Sequence, residues 1–387
     1  MRSVNHNIEK VKASASMELM ILAKRMKSEG IPVVDLSGGE PDFDTPDRIK
    51  NAAIDALNKG HTHYAVGKGI IPLREAICNK VKADSNINCD ISQVIVTPGG
   101  KYGIYMAAGA LINPGDEVMI LSPYWVSYEA IVKLWGGIPK IVSLDHKKNY
   151  KIEEELLYGA VTEKTKLLII NYPNNPTGKI LHEEEVQILK QFIMKTGIYV
   201  LSDEVYEEIV YDGNKSISLA SIPEIFDNIV TVKGFSKGMA MTGWRIGYTI
   251  ANSQLTDKMY RLFEHSITGV STFIQEAAVY AFDCKEEIEW MRKQYERRRD
   301  YLVKEIDKIP GLNCEKPEGA FYLWLQVDTD KSADEICKLM LDTGQIVGVP
   351  GTAYGEYNAT YIRCSFANSM EVLQNAVKSM KYTFGEK

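Results

Sequence analysis

Several things are missing from this sequence, and each absence closes off a class of function. None of the six cysteines (78, 89, 284, 314, 337 and 364) forms a C-x-x-C pair, which argues against a zinc ribbon or redox dithiol and fits a reducing compartment. Histidine is scarce, and His61-Thr62-His63 is the one close pair. With no carboxylate or cysteine at ligand spacing, it reads as solvent-exposed loop residues, and no metal is expected. No apolar run approaches the length of a membrane span. The polar start Met1-Arg2-Ser3-Val4-Asn5-His6-Asn7 has no apolar signal core behind it. Basic excess is missing as well. Against 51 aspartates and glutamates stand 45 lysines and arginines, a formal net charge of −6, which leaves no electrostatic footprint for nucleic acid or an anionic membrane. There is no internal repeat and no low-complexity linker. With 45% apolar residues the 387-residue chain can bury a large core, in two domains or three small ones. A soluble cytoplasmic enzyme is the default expectation.

What the chain does contain is rhythm. Apolar positions Leu19, Ile21, Leu22 and Met26 predict a helix over 8–30, stopped by Gly30-Ile31-Pro32. An apolar run at 33–37 ends in the turn-rich loop Gly38-Gly39-Glu40-Pro41-Asp42-Phe43-Asp44-Thr45-Pro46. A helix begins near Pro46 and closes near Gly60. The loop 61–69, holding Tyr64, precedes a helix over 72–81. From Gln93 onward short β-branched runs alternate with helical stretches, at 94–97, 117–121, 140–144, 167–171 and 199–203. Two more runs, 229–232 and 245–250, flank Ser236-Lys237 and bring the total to seven. This alternation predicts an α/β fold, with a central, mostly parallel seven-stranded sheet covered by helices on both faces. Beyond Leu255 the pattern turns mostly helical. A charged helix over 286–309 carries Arg297-Arg298-Arg299, which reads as a solvated face. Strands over 319–325 and 361–366, a helix over 333–343 and a terminal helix complete the chain. The expected organisation is a large domain over 45–280 and a smaller α/β domain from both chain ends. Residues 1–44 supply its N-terminal arm and 281–387 its bulk.

In open parallel sheets, ligands bind beyond the carboxyl ends of the strands, and the unusual polar residues of this chain cluster there. The stretch from Ser236-Lys237-Gly238 to Arg245 sets a lysine among small and apolar residues. Desolvation disfavours its ammonium form, so it can attack a carbonyl carbon as a neutral amine, while Ser236 and Arg245 suit a phosphate. Lysine plus phosphate grip suggests a pyridoxal-phosphate Schiff base; taken alone, a surface lysine in a glycine-rich loop explains the same residues. Thr97-Pro98-Gly99-Gly100-Lys101 either opens an anion-binding helix N-terminus or is a plain turn. The cluster Tyr124-Trp125 and Tyr128 either stacks on a planar ring or covers hydrophobic surface. Asn171-Tyr172-Pro173-Asn174-Asn175-Pro176-Thr177-Gly178 is a rigid loop able to fix an amide. Asp203 closes a hydrophobic strand three residues before Tyr206. It is either a helix cap or a carboxylate that keeps a pyridine nitrogen protonated.

From about residue 30 to the C-terminus, the chain resembles the class I/II aminotransferases of the type-I pyridoxal-phosphate fold, in the prokaryotic aspartate-aminotransferase-like branch. The resemblance rests on an ordered set: the loop from Gly39 to Pro46, Tyr64, Gly99-Gly100-Lys101, Pro123-Tyr124-Trp125, Asn174-Asn175-Pro176-Thr177-Gly178, Ser202-Asp203-Glu204-Val205-Tyr206, Ser236-Lys237 through Arg245, and Ile362-Arg363-Cys364-Ser365-Phe366-Ala367. It implies a pyridoxal-phosphate-dependent transaminase of ping-pong mechanism. Lys237 is then the Schiff-base residue and general base, Asp203 pairs with the pyridine nitrogen, and Asn175 and Tyr206 hold the ring hydroxyl oxygen. Trp125 stacks on the ring, and the backbone at Gly99, Gly100 and Lys101, with Ser236 and Arg245, holds the phosphate. The tyrosine matching Tyr64 reaches the neighbouring subunit's phosphate in relatives, which implies a homodimer. Arg363 clamps the substrate α-carboxylate with the Gly39 backbone, and Trp125 and Asn175 border the same substrate. One departure stands out. Some relatives carry a phosphate-binding hydroxyl three residues before the lysine, and Gly234 cannot supply one.

Lys101 is the handle on specificity. In the bacterial aspartate branch a lysine in this Gly-Gly-Lys context helps recognise acidic side chains, which favours aspartate or glutamate with 2-oxoglutarate or oxaloacetate. Pointing to solvent, it would play no such part. Aromatic or broad amino-acid specificity is the competing expectation, given Tyr64 and Tyr124-Trp125. A carbon–sulfur β-lyase on the same fold would need the same lysine, aspartate and arginine.

Overall fold

A computed structural model describes residues 4–13, 15–65 and 67–385. The chain opens with α1 (His6–Glu9), α2 (Ala15–Ser28), β1 (Val34–Asp35), α3 (Asp47–Asn58) and α4 (Ile71–Ser85). Next come β2 (Val94–Thr97), α5 (Gly100–Leu111), β3 (Glu117–Ser122), α6 (Ser127–Leu134), β4 (Ile138–Ser143) and α7 (Glu154–Ala160). They are followed by β5 (Thr165–Asn171), α8 (Glu183–Thr196), β6 (Tyr199–Asp203), β7 (Ile229–Gly234), β8 (Gly247–Ile250), α9 (Ser253–Glu264) and α10 (Thr272–Val279). The remainder is α11 (Lys285–Ile306), β9 (Leu312–Cys314), β10 (Tyr322–Val327), α12 (Ala333–Gly344), β11 (Ile346–Val347), β12 (Val349–Pro350), β13 (Tyr361–Ser365) and α13 (Met370–Phe384).

The seven predicted runs form one sheet, in the order β2-β8-β7-β6-β5-β3-β4. Only β8 runs against its neighbours. Successive side chains of a strand point to opposite faces, so a sheet covered on both sides needs apolar residues at every position. The central strands β3, β5 and β6 come near that pattern. Val118 and Ile120 of β3, Leu167 and Ile169 of β5 and Leu201 of β6 join the core on one face. Met119, Leu121, Leu168, Ile170 and Val200 join the core on the other. A second sheet, β12-β13-β10-β9, packs with α11, α12 and α13 around a separate core. The early strand β1 pairs in parallel with the late strand β11, and the Ser365 N–H donates to the Leu36 carbonyl (2.7 Å). Both ends of the chain therefore build this part together.

Three expectations need correction. The helix over 8–30 is two helices, His6–Glu9 and Ala15–Ser28, with residues 11–13 outside both. The basic triplet on α11 is not a solvated face. Arg297 is exposed, but Arg298 and Arg299 are buried. Arg298 grips Asp42 through two bonds of 2.7 and 2.9 Å. Arg299 grips Asp212 at 2.8 and 3.0 Å and donates to the Pro317 carbonyl at 2.8 Å. Lastly, His63 is exposed, but His61 is half-buried with Nδ1 3.5 Å from Glu276.

Beneath the carboxyl ends of β6 and β7 lies a buried ion network. Lys233 is 1% exposed and pairs with Glu204 at 3.0 Å and with Glu207. Lys80 of α4 reaches Glu208 at 2.6 Å and Glu207 at 3.6 Å. Burial pushes the Lys233 amine toward its neutral form, but Glu207 and Glu204 outweigh it and hold the charge. Removing one partner of a buried pair leaves an uncompensated charge. Lys233→Met should therefore lower the unfolding free energy by about 3–5 kcal/mol, read by chemical denaturation. A loss below about 1 kcal/mol, the worth of a surface pair, would show that the network is solvated.

Candidate active site

Register brings the chemistry to one edge. Asn171, the last residue of β5, stands opposite Asp203, the last of β6, and Asp203 stands opposite Val232 of β7. The strand sequence also reverses between β3 and β5, and ligands bind at such switch points. A cleft of about 470 Å³ opens there. Gly39, Gly100, Lys101, Trp125, Asn175, Asp203, Tyr206, Ser236, Lys237, Arg245 and Arg363 all line it.

Lys237 follows β7 and is half-buried, with its Nζ donating to the Gly39 carbonyl. Loss of water, with the nearby Arg363 guanidinium, lowers its pKa to about 8. Glu40 and Asp203 pull in the opposite direction without restoring the ordinary value. Asp203 is 3% exposed, and burial raises its carboxyl to about 6. The opposing influence is the Tyr128 hydroxyl, which donates to Oδ2 at 2.5 Å, aided by the Val205 N–H on Oδ1 at 3.3 Å. Tyr206 is buried, and its hydroxyl meets that of Tyr322 at 2.7 Å.

An anion cradle lies beside this pair. Gly99 caps α5 with φ of 85°, and a Cβ there would fall 2.7 Å from Arg245 Nη2. At Gly100 a Cβ would fall 2.9 Å from Val205 Cγ1; of the two glycines, Gly100 lines the cleft. Arg245 also takes a positive φ, 53°, and its Nη1 donates to the Thr242 carbonyl at 2.7 Å. Ser236 is buried beside it. Lys101, in the first turn of α5, is exposed, with its ammonium 4.8 Å from the Trp125 ring centroid.

Opposite the cradle, β13 presents Arg363, 3% exposed. Its Nη1 donates to Asn175 Oδ1 at 3.1 Å and its Nη2 to the Ser37 carbonyl at 2.6 Å. The Tyr322 ring lies 4.3 Å from the guanidinium carbon. Its Nε is buried without a partner, and among the described residues no carboxylate pairs with it. A buried cation lacking an anion marks the place where one should sit.

Tyr64 does not join the cleft; it is 89% exposed. Tyr128, Tyr322, Ser37, Glu40, Met17 and Met20 do reach the cleft but were not singled out as site residues. Tyr128 belongs to the aromatic cluster expected either to stack on a planar ring or to cover hydrophobic surface, not to bond a carboxylate, and nothing in the spacing marks the others.

The profile of the family "Aminotransferase class I and II" matches residues 31–380. The chain belongs to the class I and II aminotransferases. It is 37% identical to the aspartate aminotransferase of Musicola paradisiaca, over 98% of this chain and 96% of that one. It is 39% identical to aromatic-amino-acid aminotransferase 2 of Thermococcus litoralis, over 100% and 99%. Its fold superposes on the aspartate aminotransferase of Thermus thermophilus with maleate at a TM-score of 0.94. Identity there is 33%, covering 99% of this chain and 100% of that one. This aminotransferase is thus a pyridoxal-phosphate enzyme acting on amino and 2-oxo acids. Its residues fit the cofactor on their own terms. A desolvated lysine faces a buried carboxylate, and the glycine cradle, which a Cβ would fill, lies beside them.

Because its pKa is lowered, Lys237 should become neutral as pH rises through about 8, against about 10.4 for an ordinary lysine. Modification of the cofactor-free protein by trinitrobenzenesulfonate, mapped to the Lys237 peptide, should follow that midpoint. A midpoint above about 10 would mean that the amine is solvated.

Proposed function

We propose that this aminotransferase moves the amino group of an acidic amino acid, aspartate or glutamate, to 2-oxoglutarate or oxaloacetate, as a cytoplasmic homodimer. The observation that carries the amino-acid reading is the buried Arg363, without an anion of its own and close enough to depress the Lys237 amine; the acidic preference rests on Lys101. An α-carboxylate held there brings the substrate Cα toward the lysine.

Pyridoxal phosphate, when bound, supplies an electron-poor ring that takes up the electron pair left as the substrate's Cα–H bond breaks. The protein's part follows from its own residues. Lys237 would hold the cofactor covalently and, once free, its neutral Nζ takes the proton from the substrate Cα. Asp203 would keep the ring nitrogen protonated, while Asn175 and Tyr206 would hold the ring oxygen and Trp125 cover one face. Ser236, Arg245 and the amides at Gly99, Gly100 and Lys101 would hold the phosphate. Arg363 binds the α-carboxylate, steadied by Asn175 and by the loop of Ser37 and Gly39. Tyr64, exposed outside the cleft, suits a contact with the partner subunit's cofactor. The same reading divides the chain into a cofactor-binding unit over 45–280 and a smaller one from 1–44 and 281–387.

The acidic side chain is assigned to Lys101, whose ammonium stands at the cleft over Trp125. Broad specificity including aromatic amino acids is the second reading, favoured by Met17, Met20 and Ile104 on the cleft wall. A panel of amino donors against 2-oxoglutarate tests both; pyruvate from a sulfur amino acid without an acceptor would instead mean a lyase. Lys101→Ala should lower kcat/KM for aspartate at least about tenfold more than for phenylalanine, the worth of one charged contact. Equal losses for the two substrates would remove Lys101 from side-chain selection.

A further inference from the structure

Trp125 and Tyr128 lie one turn apart at the start of α6, and the Tyr128 N–H donates to the Trp125 carbonyl at 3.0 Å. Their rings meet edge to face at 5.3 Å. Tyr128 is 1% exposed at the cleft wall, and its hydroxyl ends on Asp203 Oδ2 at 2.5 Å. The other carboxylate oxygen takes the Val205 N–H at 3.3 Å, and the Asp203 carbonyl takes the Asn171 side-chain amide at 2.9 Å. Asp203 is therefore pinned in direction as well as buried. Of these contacts, only the Tyr128 bond comes from a side chain to the carboxylate itself.

We infer that Tyr128 is a positioning residue for the cofactor, which acts through Asp203: its hydroxyl keeps that carboxylate ionised and aimed at the ring nitrogen. The inference rests on the reading of Asp203 given above and deepens it. A hydrogen bond to the charged form of a buried acid favours ionisation, and removing it favours the neutral acid. The charged and titratable groups facing Asp203 are Glu204 beside it, Lys237 beyond β7, and the phenols of Tyr128 and Tyr206. Glu204 disfavours a second negative charge and Lys237 favours it. Neither touches the carboxylate, so the phenol is the contact that a single atom can remove.

The test uses the full-length protein with pyridoxal 5'-phosphate as the probe, in the parent, Tyr128→Phe, Asp203→Asn and the double variant. Dissociation constants are measured by equilibrium dialysis at a series of pH values around neutrality. Tyr128→Phe should weaken binding about tenfold, and the pH below which binding falls off should move upward. In the Asp203→Asn background the same change should do nothing further, since the acid it acts on is gone. A parent protein carrying 3-fluorotyrosine at position 128 keeps the ring and donates more strongly; its midpoint should move downward. That form also keeps the test open should Tyr128→Phe fold poorly. Unmoved midpoints, or equal losses with and without Asp203, would make Tyr128 a packing residue and overturn the inference. If Asp203→Asn binds the cofactor as tightly as the parent, the reading of Asp203 falls instead.

Discussion

The site rests on one constraint: a carboxylate and an amine are held where water has been excluded. Burial raises Asp203 to about 6, above its unfolded value, so the folded protein holds this proton more tightly than the unfolded chain. The cost is absent below about pH 4, the unfolded value, grows as pH rises from there to about 6, and is constant above that. At neutral pH it reaches on the order of 3 kcal/mol of folding stability. Lys237 is the mirror case, since burial lowers its amine to about 8 and favours the neutral form. Two groups of opposite type, both pushed toward neutrality by the same lack of water, are the pattern of a tuned acid–base pair.

Holding that pair in place requires parts of the chain that are far apart in sequence. The loop after β1 carries much of this burden. Its Ser37 carbonyl accepts from Arg363, its Gly39 carbonyl accepts from Lys237, its Asp42 takes both arms of Arg298, and its Thr45 hydroxyl donates to the Ala240 carbonyl. One short segment thus ties β13, α11 and the Lys237 turn together. Arg363 and Lys237 share a single support, so displacing the loop would disturb both at once. Behind the pair, the network of Lys233, Glu204, Glu207 and Lys80 keeps the turns after β6 and β7 in register with α4.

Much of this was legible in the sequence, and the exceptions share a cause. The seven strands were readable because burial on both faces forces unbroken apolar runs, and the strand-end polar residues then fell where ligands bind. Arg298 and Arg299 were misread because their partners, Asp42 and Asp212, lie 256 and 87 residues away. Local charge pattern carries no trace of such a pairing. Tyr128 was seen only as one of several aromatics, since its partner Asp203 is 75 residues distant. Helix α2 was placed, but the break before it was lost under a periodicity that starts only at Leu19.

The central claim is that Lys237, and no other lysine, is the amine that takes the cofactor. Borohydride reduction of the protein loaded with pyridoxal 5'-phosphate fixes the label as a stable secondary amine, and peptide mapping by mass spectrometry then locates it. The account predicts a single labelled site at Lys237. Label on Lys101 or Lys233, with Lys237 unmodified, would contradict it.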